Sequence, residues 1–537
     1  MSTVVNFQGK NCIEPGSYAA TVYNPTSVAN VANFGNAMII DTGLSLSNGV
    51  EFSGGSGIKG TNAKGLKAIY EFTAWEDFSA FVNGGPVADI AKKLFMPIEG
   101  SVGIPKLYYT RAATTVPASL VLSMGTKGDI TFTCKNEGIV GNGVLDAETS
   151  SILKTGYAAK IITGSTPFLF ILQVYKGTWS GVDKDGEVYG TKSYDNSAPI
   201  LLAESPECTS INELKAWAIS NKVMTANFLV SANQLLLGDL ATRPLEVFTG
   251  GATTSVDNEY KAVLEAISEL DVTFFLCDKY GVMGADTATN GLLHAFLKNE
   301  AKFTQFMVIG GGEKDDDLFG EVGTSEAIAK YYNDEQVVIV HGSPEDVRKD
   351  KNGNKSLPSI YLAASVIGLN ASLAPQTPLT FKRIGYKNFV YDLKKQERVN
   401  ALQAGIMHVR NVNGYWCINQ GITTIQDNLK TIADDGESLE LSIALIKAQL
   451  NKELIIDAAA RFTGDTVAQA SPESLKNFTE TKLASRVARP GNDNLIITWK
   501  NVKVTAVNGD FFITYDFVPN VPNNKMFFIG NMLDFTV

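Results

Sequence analysis

Residues 358–382, Pro-Ser-Ile-Tyr-Leu-Ala-Ala-Ser-Val-Ile-Gly-Leu-Asn-Ala-Ser-Leu-Ala-Pro-Gln-Thr-Pro-Leu-Thr-Phe-Lys, constrain this chain more than any other stretch. Pro358 suits the first turn of a helix, where its φ is already set and its missing N–H costs nothing. From Ile360 to Leu369 the sequence is apolar on nearly every side, so a helix here is buried all round. Asn370, Pro375 and Pro378 stop it, and Thr380-Phe381-Lys382 reads as the start of a strand. Such a unit reads as an assembly joint more readily than as an active site.

The segments before it alternate. Asp271–Cys277, Gln305–Ile309 and Val337–Val340 are apolar runs separated by helical segments, which predicts a sheet covered on both faces. Between the first run and Glu246–Gly251 (a strand running into a glycine turn), Asp257–Leu270 places Tyr260, Val263, Leu264, Ile267 and Leu270 on one helical face. Upstream, Met38–Asp41 reads as a short strand and Leu66–Phe81 as a helix broken by Gly84-Gly85-Pro86. Pro86–Phe95 reads as a second helix with Val87, Ile90, Ala91 and Leu94 inward, and Pro105–Arg111 as a strand. Ile130–Cys134, Ala159–Ile162 and Phe168–Tyr175 are strand patterns, interrupted by one helix at Ser210–Ile219.

After the Pro358 helix, Asp392–Ala404 is a charged helix. Ile406–Val409 and Tyr415–Ile418 form a hairpin around Asn413-Gly414, a strong two-residue turn signal. Glu437–Phe462 repeats Leu439, Ile443, Ile446, Leu450 and Leu454 at three- and four-residue steps, with Gly464 past its end. Ser471 caps a second helix with Pro472 at its first position, running to Pro490. Leu495–Trp499, Val502–Val507, Phe511–Phe517 and Met526–Val537 alternate as strands.

Composition narrows the chemistry. At 537 residues the chain is long enough for about three or four domains. Lys plus Arg is 46 against Asp plus Glu 56, a net charge of −10, which disfavours direct nucleic-acid binding. The opening residues Met1–Lys10 lack the apolar core of a signal peptide, and no apolar run approaches the ~20 residues of a membrane span, so neither export nor membrane insertion is expected. Cys12, Cys134, Cys208, Cys277 and Cys417 are far apart, so neither a zinc site nor a disulfide frame is indicated, and folding in a reducing cytoplasm is expected. His294, His341 and His408 have no metal-ligand spacing. Gly323-Thr324-Ser325-Glu326-Ala327 resembles a serine nucleophile elbow superficially, but Glu326 replaces the small residue and no Gly-rich His motif precedes it. Gly310-Gly311-Gly312-Glu313-Lys314 lacks phosphate-loop spacing and runs into Asp315, Asp316 and Asp317, which reads as a solvated loop. Asp183–Glu187 is a fragment of a calcium loop, better read as a hairpin turn. No catalytic, cofactor or metal residue is expected. Lys482, Arg486 and Arg489 form a basic stripe at a helix end, which either complements the helix C-terminus or docks an acidic partner.

Several of these stretches carry a resemblance. Pro-Ser-x-Tyr-x-Ala-Ala-x-Val-x-Gly-Leu followed by Pro-x-x-Pro-Leu-Thr-Phe-Lys resembles the core signature of bacteriophage contractile tail sheath proteins. In the same order come Glu14-Pro15-Gly16-Ser17-Tyr18, the Gly84-Gly85 turn leading to Tyr108-Tyr109-Thr110-Arg111, and the Asn136–Asn142 turn. Asn400-Ala401-Leu402 with Gly405-Ile406, and then Gly414-Tyr415-Trp416, are also similar to the family. Thr423-Thr424 departs from it, standing where the family commonly has Arg-Thr, so the inter-subunit salt bridge of that arginine is in doubt.

The resemblance implies a multidomain α/β and α+β chain. Residues 1–36 would be an extended N-terminal arm, 37–116 the first part of the α/β core, and 117–235 a β-rich inserted outer domain. Residues 236–385 would be a non-catalytic α/β layer of subtilisin-like topology, 386–520 a C-terminal α+β domain facing the tube, and 521–537 a C-terminal arm strand. It implies hexameric rings stacked helically around a tail tube protein, with baseplate and tail terminator proteins as further partners. The structure would be a virion tail assembled in the host cytoplasm that contracts for genome delivery. Arm contacts between subunits would fall at Pro15, Gly16, Tyr18, Met526, Phe527, Phe528 and Ile529, by β-augmentation, and tube docking at Lys482, Arg486 and Arg489. A tailocin or secretion-system sheath is the near alternative, and an α/β hydrolase using Ser325 the distant one.

Overall fold

The computed structural model describes residues 5–7, 10–12, 35–41, 69–82, 86–137, 141–145, 153–177, 199–220, 228–233, 236, 238–255, 257–268, 270–278, 289–299, 304–313, 315–350, 353–426, 439–462, 471–489, 493–507 and 510–521. Its centre is an eight-stranded sheet in the order Tyr415–Ile418, Ile406–Val412, Val337–His341, Phe306–Gly310, Phe274–Asp278, Ala37–Asp41, Leu107–Arg111, Tyr70–Phe72. The six inner strands are parallel, and the strand at each edge is antiparallel.

Alternate side chains feed two cores, one on each face. Ala37, Ile39, Phe274, Leu276, Phe306, Val308, Val338 and Val340 point to one face. Met38, Ile40, Phe275, Cys277, Met307, Ile309, Val337 and Ile339 point to the other. Burial on both faces is why these strands are apolar without interruption. Helices Pro86–Phe95 and Ser359–Ala371 and the first half of Leu441–Phe462 cover the first face. Asp257–Ile267, Thr289–Asn299, Ser325–Tyr332 and Lys395–Gln403 cover the second.

The Ser359–Ala371 helix is buried at every position from Ser359 to Asn370, packed between the sheet and the Pro86–Phe95 helix. Pro358 stands at its N-cap, one residue before the position expected, with ψ 149° keeping it outside the helix. Thr380–Lys382 does not begin a regular strand. Phe381 has φ 59°, and the segment joins the sheet edge only by single bonds to Ile418.

The reading of 66–81 as one helix is also corrected. Tyr70–Phe72 pairs antiparallel with Leu107–Arg111, and the helix runs over Trp75–Val82. An aromatic cluster draws the segment to the sheet edge: Tyr70 and Phe81 lie 4.8 Å apart between ring centroids, and Phe72 and Phe78 5.1 Å.

Two four-stranded sheets lie outside this body, in the orders Ile200–Glu204, Phe170–Lys176, Tyr157–Thr163, Arg243–Val247 and Phe228–Ala232, Asp129–Glu137, Ala113–Ser123, Ala252–Ser255. Leu120, Leu122, Ile130 and Phe132 of one meet Tyr157, Ile161, Leu172 and Val174 of the other in a separate core, joined by Ile211 and Leu214 of the Ile211–Ser220 helix. This is a β-sandwich inserted between core strands Leu107–Arg111 and Phe274–Asp278. Cys134, Cys208, Cys277 and Cys417 are buried and form no disulfide among the described residues.

Leu441–Phe462 is not the one-faced helix its periodicity predicts. Leu441, Ala444, Leu445 and Ala448 belong to the central core, whereas Ile446 and Leu450 belong to a smaller core with Leu483, Leu495, Ile496 and Val502. One helix serves two cores, so its first half is buried nearly all round. Lys447 reaches Glu335 at 2.5 Å and Lys452 reaches Asp271 at 2.6 Å, fastening it to the ends of the core strands. The expected start at Glu437 and the Gly464 signal lie outside the described residues.

Candidate functional site

Beyond the small core, Ile496–Val507 and Asp510–Pro519 form a two-stranded antiparallel ribbon. Trp499, Tyr515 and Phe517 turn one face towards the helices Leu441–Phe462 and Pro472–Ser485. Tyr515 Oη donates to Asn451 Oδ1 at 3.2 Å, and burial raises its hydroxyl pKa. Among the described residues neither long edge of the ribbon pairs with a further strand, apart from a single bridge between Ile496 and Val487 at the end of one edge. A two-stranded ribbon is marginal alone, and its unpaired edges are templates for added strands. Val5–Phe7 and Lys10–Cys12 form a second small antiparallel pair, separate from every other sheet. Pro15, Gly16, Tyr18, Met526, Phe527, Phe528 and Ile529 lie outside the described residues.

The basic stripe lies on the neighbouring helix, whose N-cap Ser471 accepts the Ser474 N–H at 3.2 Å. Lys482 pairs with Asp457, and Arg486 holds Glu453 through Nε at 2.6 Å and a terminal nitrogen at 2.5 Å. Both acids belong to Leu441–Phe462, so two of the three cations clamp one helix to the other. Arg489, just past the helix, is exposed. The stripe's spacing was legible in sequence. Its internal partners were not, because they come from a different helix.

The histidines are not isolated. Ser325 Oγ lies 3.0 Å from His341 Nδ1 and accepts the Gly312 N–H at 2.7 Å. Ser325 is 0% exposed and His341 3%. Gly310–Glu313 is buried too, correcting the expectation of a solvated loop: Ser359 Oγ donates to the Gly311 carbonyl at 2.7 Å, tying this turn to the start of the buried helix. The Ser–His pair is therefore present but sealed under the turn, with no open position for a substrate carbonyl. His294 Nε2 meets Asp334 at 2.9 Å beside Lys298. Burial pushes the Asp334 carboxyl up, but these two partners outweigh it and hold the group below the usual carboxylate range. Among the described residues no group of three His, Cys, Asp or Glu side chains is placed to hold a metal ion. None of the described helices is long and apolar enough to cross a membrane. Asp183–Glu187 lies outside the described residues.

Thr423 and Thr424 are both fully buried and bond inward, to Leu439 and to Asp334. Where the resembled family has an arginine, this chain has a side chain turned into its own core.

No protein-family model matches the chain, and no curated protein matches it in sequence. Solved structures do. The crystal structure of a sheath tail protein from Desulfitobacterium hafniense aligns with 94% of this chain and 99% of its own at 13% identity, with a TM-score of 0.54. A sheath tail protein from Listeria innocua aligns with 92% of this chain and 96% of its own at 13% identity, TM-score 0.47. The helical sheath of the anti-feeding prophage in its contracted state aligns with 97% and 99% at 10% identity, TM-score 0.44. Over nearly its whole length, the chain has the fold of a tail sheath protein.

Proposed function

We propose that this chain is the structural subunit of a contractile tail sheath. The observation that carries the reading is the alignment of nearly the whole chain with nearly the whole of one sheath tail protein. In this reading hexameric rings stack helically around a tail tube, capped by baseplate and terminator proteins. Contraction rotates the rigid α/β body into a shorter, wider lattice and drives the tube forward. The inserted sandwich, expected at residues 117–235, faces outward. Residues 386–520 face the tube, with Arg489 as the exposed cation at the docking end and Lys482 and Arg486 holding the helix that presents it. The fold serves a phage tail for genome delivery and a tailocin or secretion-system sheath equally.

The arms are proposed to complete the ribbon Ile496–Val507/Asp510–Pro519 of neighbouring subunits. Strands from residues 1–20 and 526–537, including Pro15, Gly16, Tyr18, Met526, Phe527, Phe528 and Ile529, add to its free edges. That arrangement would extend a ribbon whose long edges pair with no further strand among the described residues.

No catalytic step is assigned. The Ser325–His341 contact is the one observation on the side of a hydrolase, and the burial of both residues weighs against it. Labelling of the native protein at Ser325 by a fluorophosphonate would reinstate that reading.

Negative-stain electron microscopy of the purified protein with its tube partner tests the function. Long hollow cylinders from the full chain, lost on deleting residues 1–20, are expected. Cylinders from both proteins would remove the arm's role. Monomers or small closed rings from both would overturn the sheath.

A further inference from the structure

The edge of the central sheet at Tyr415–Ile418 carries a cluster that neither the fold nor the arms use. Phe381 has φ 59°, a left-handed backbone that bulky residues rarely adopt, and the residue is 51% exposed. Its N–H donates to the Ile418 carbonyl at 2.8 Å, and Ile418 N–H donates to the Lys382 carbonyl at 3.0 Å, which hold it there. Folding gains little by straining backbone to display a ring to water, and such strain concentrates where proteins bind. The Arg410 guanidinium lies over the Phe381 ring, 5.1 Å from its centroid, and donates to Asn419 Oδ1 at 3.3 Å. Arg383 stacks on Tyr415, which is 52% exposed, at 3.8 Å. Among the described residues Lys382, Arg383 and Arg410 have no carboxylate partner.

Two unneutralised guanidiniums and two displayed rings thus share one surface of a chain whose net charge is −10. Copies of such a chain repel, so contact between them needs a local reversal of charge. We propose that this face binds the acidic turn of residues 315–322 in a second copy of the chain. Asp316 and Glu321 are exposed there and have no ion pair among the described residues. Val322, 73% exposed beside them, offers the apolar surface the rings require. The guanidiniums are already held over the rings, so pairing with carboxylates costs them little freedom. The inference deepens the sheath reading and rests on it, naming one contact between subunits.

Two measurements test it. A fluorescent peptide of residues 313–324 is titrated with the intact protein at low salt. Binding is expected, weakening about tenfold or more in R383E/R410E and on raising salt to about 0.5 M. Should R383E/R410E unfold, as its circular dichroism would reveal, R383Q/R410Q replaces it with a smaller loss expected. No binding to the wild type, or equal binding to the folded variant, overturns the proposal. In assembly, R383E/R410E and D316R/E321R each fail to form cylinders, and the protein carrying all four changes regains them. Cylinders from either face-reversed protein overturn this contact and leave the sheath standing. A wild type that forms no cylinders with its tube counts against the sheath reading, and the peptide titration then decides the contact alone.

Discussion

Thr424 and Asp334, 90 positions apart, share two hydrogen bonds through one hydroxyl: Thr424 Oγ1 donates to the Asp334 carbonyl at 2.9 Å and accepts the Asp334 N–H at 2.9 Å. Thr424 N–H donates to the Val337 carbonyl as well, so this one residue anchors the start of a central strand. Thr424→Val keeps the shape but leaves the buried Asp334 N–H unpaired, while the Asp334 carbonyl still accepts the Val337 N–H, and is expected to cost about 2 kcal/mol in urea unfolding. Thr424→Ser keeps the hydroxyl and loses about 1 kcal/mol with its methyl. Equal losses from the two would remove the hydroxyl bonds from the account.

Gly368 sits where the buried helix crosses Pro86–Phe95. A Cβ there would lie 2.6 Å from the carbonyl oxygens of both Lys93 and Leu94, which are backbone atoms with no freedom to yield. Gly368→Ala gains about 1 kcal/mol of helix propensity but forces the helices apart, so a net loss of about 1–2 kcal/mol is expected. A melting temperature at or above that of the wild type would show that the helices can separate freely.

Burial lowers the His408 pKa from 6.5 to about 4; the Ile406 carbonyl opposes this shift, and Arg398 and Arg410 add to it. His341 lies beside it in register on the adjoining strand. The folded protein keeps His408 neutral where the unfolded chain protonates it. Its contribution is therefore whole above pH 6.5 and is lost as pH falls from 6.5 to about 4, by about 3 kcal/mol in all. His408→Met is expected to flatten this part of the profile, and identical wild-type and variant profiles would assign the loss to other groups.

Arg486 and Glu453 are the more buried of the two clamps between the C-terminal helices, with side chains 21% and 12% exposed. Arg486→Ala takes the cation from Glu453, leaving Gln449 Nε2 as its donor, and is expected to destabilise the C-terminal subdomain by about 2 kcal/mol, while Lys482→Ala, at a more exposed pair, costs about 0.5 kcal/mol. Hydrogen exchange across Pro472–Ser485 reads the difference. If both substitutions leave exchange unchanged, neither pair holds the helices together.

Much of the centre is legible in the sequence. Val337–Val340 and its companions are apolar at every position because both faces of the sheet are covered, and that pattern survives in a single sequence. Asn413 and Gly414 take φ 52° and 85°, the left-handed pair that a two-residue hairpin demands and that these residue types advertise. Tyr70–Phe72 misled because three residues are too few to show a period and the aromatic spacing around them imitates a helix. Leu441–Phe462 misled for the opposite reason: one helix between two cores carries two apolar faces, and a single-face template sees only one.

The sequence by itself determined where most of the core strands and helices lie and that the inner strands are dry on both faces, because those follow from neighbours a few residues apart. It also supplied the ordered motifs that resemble a sheath. Only the tertiary structure decided which distant side chains meet: Ser325 with His341, Arg486 with Glu453, Arg410 over Phe381. Strand order, register and helix crossings set these contacts, and local periodicity encodes none of them. The basic stripe therefore became mostly an internal clamp, and the unpaired cations were found instead at the edge of the sheet.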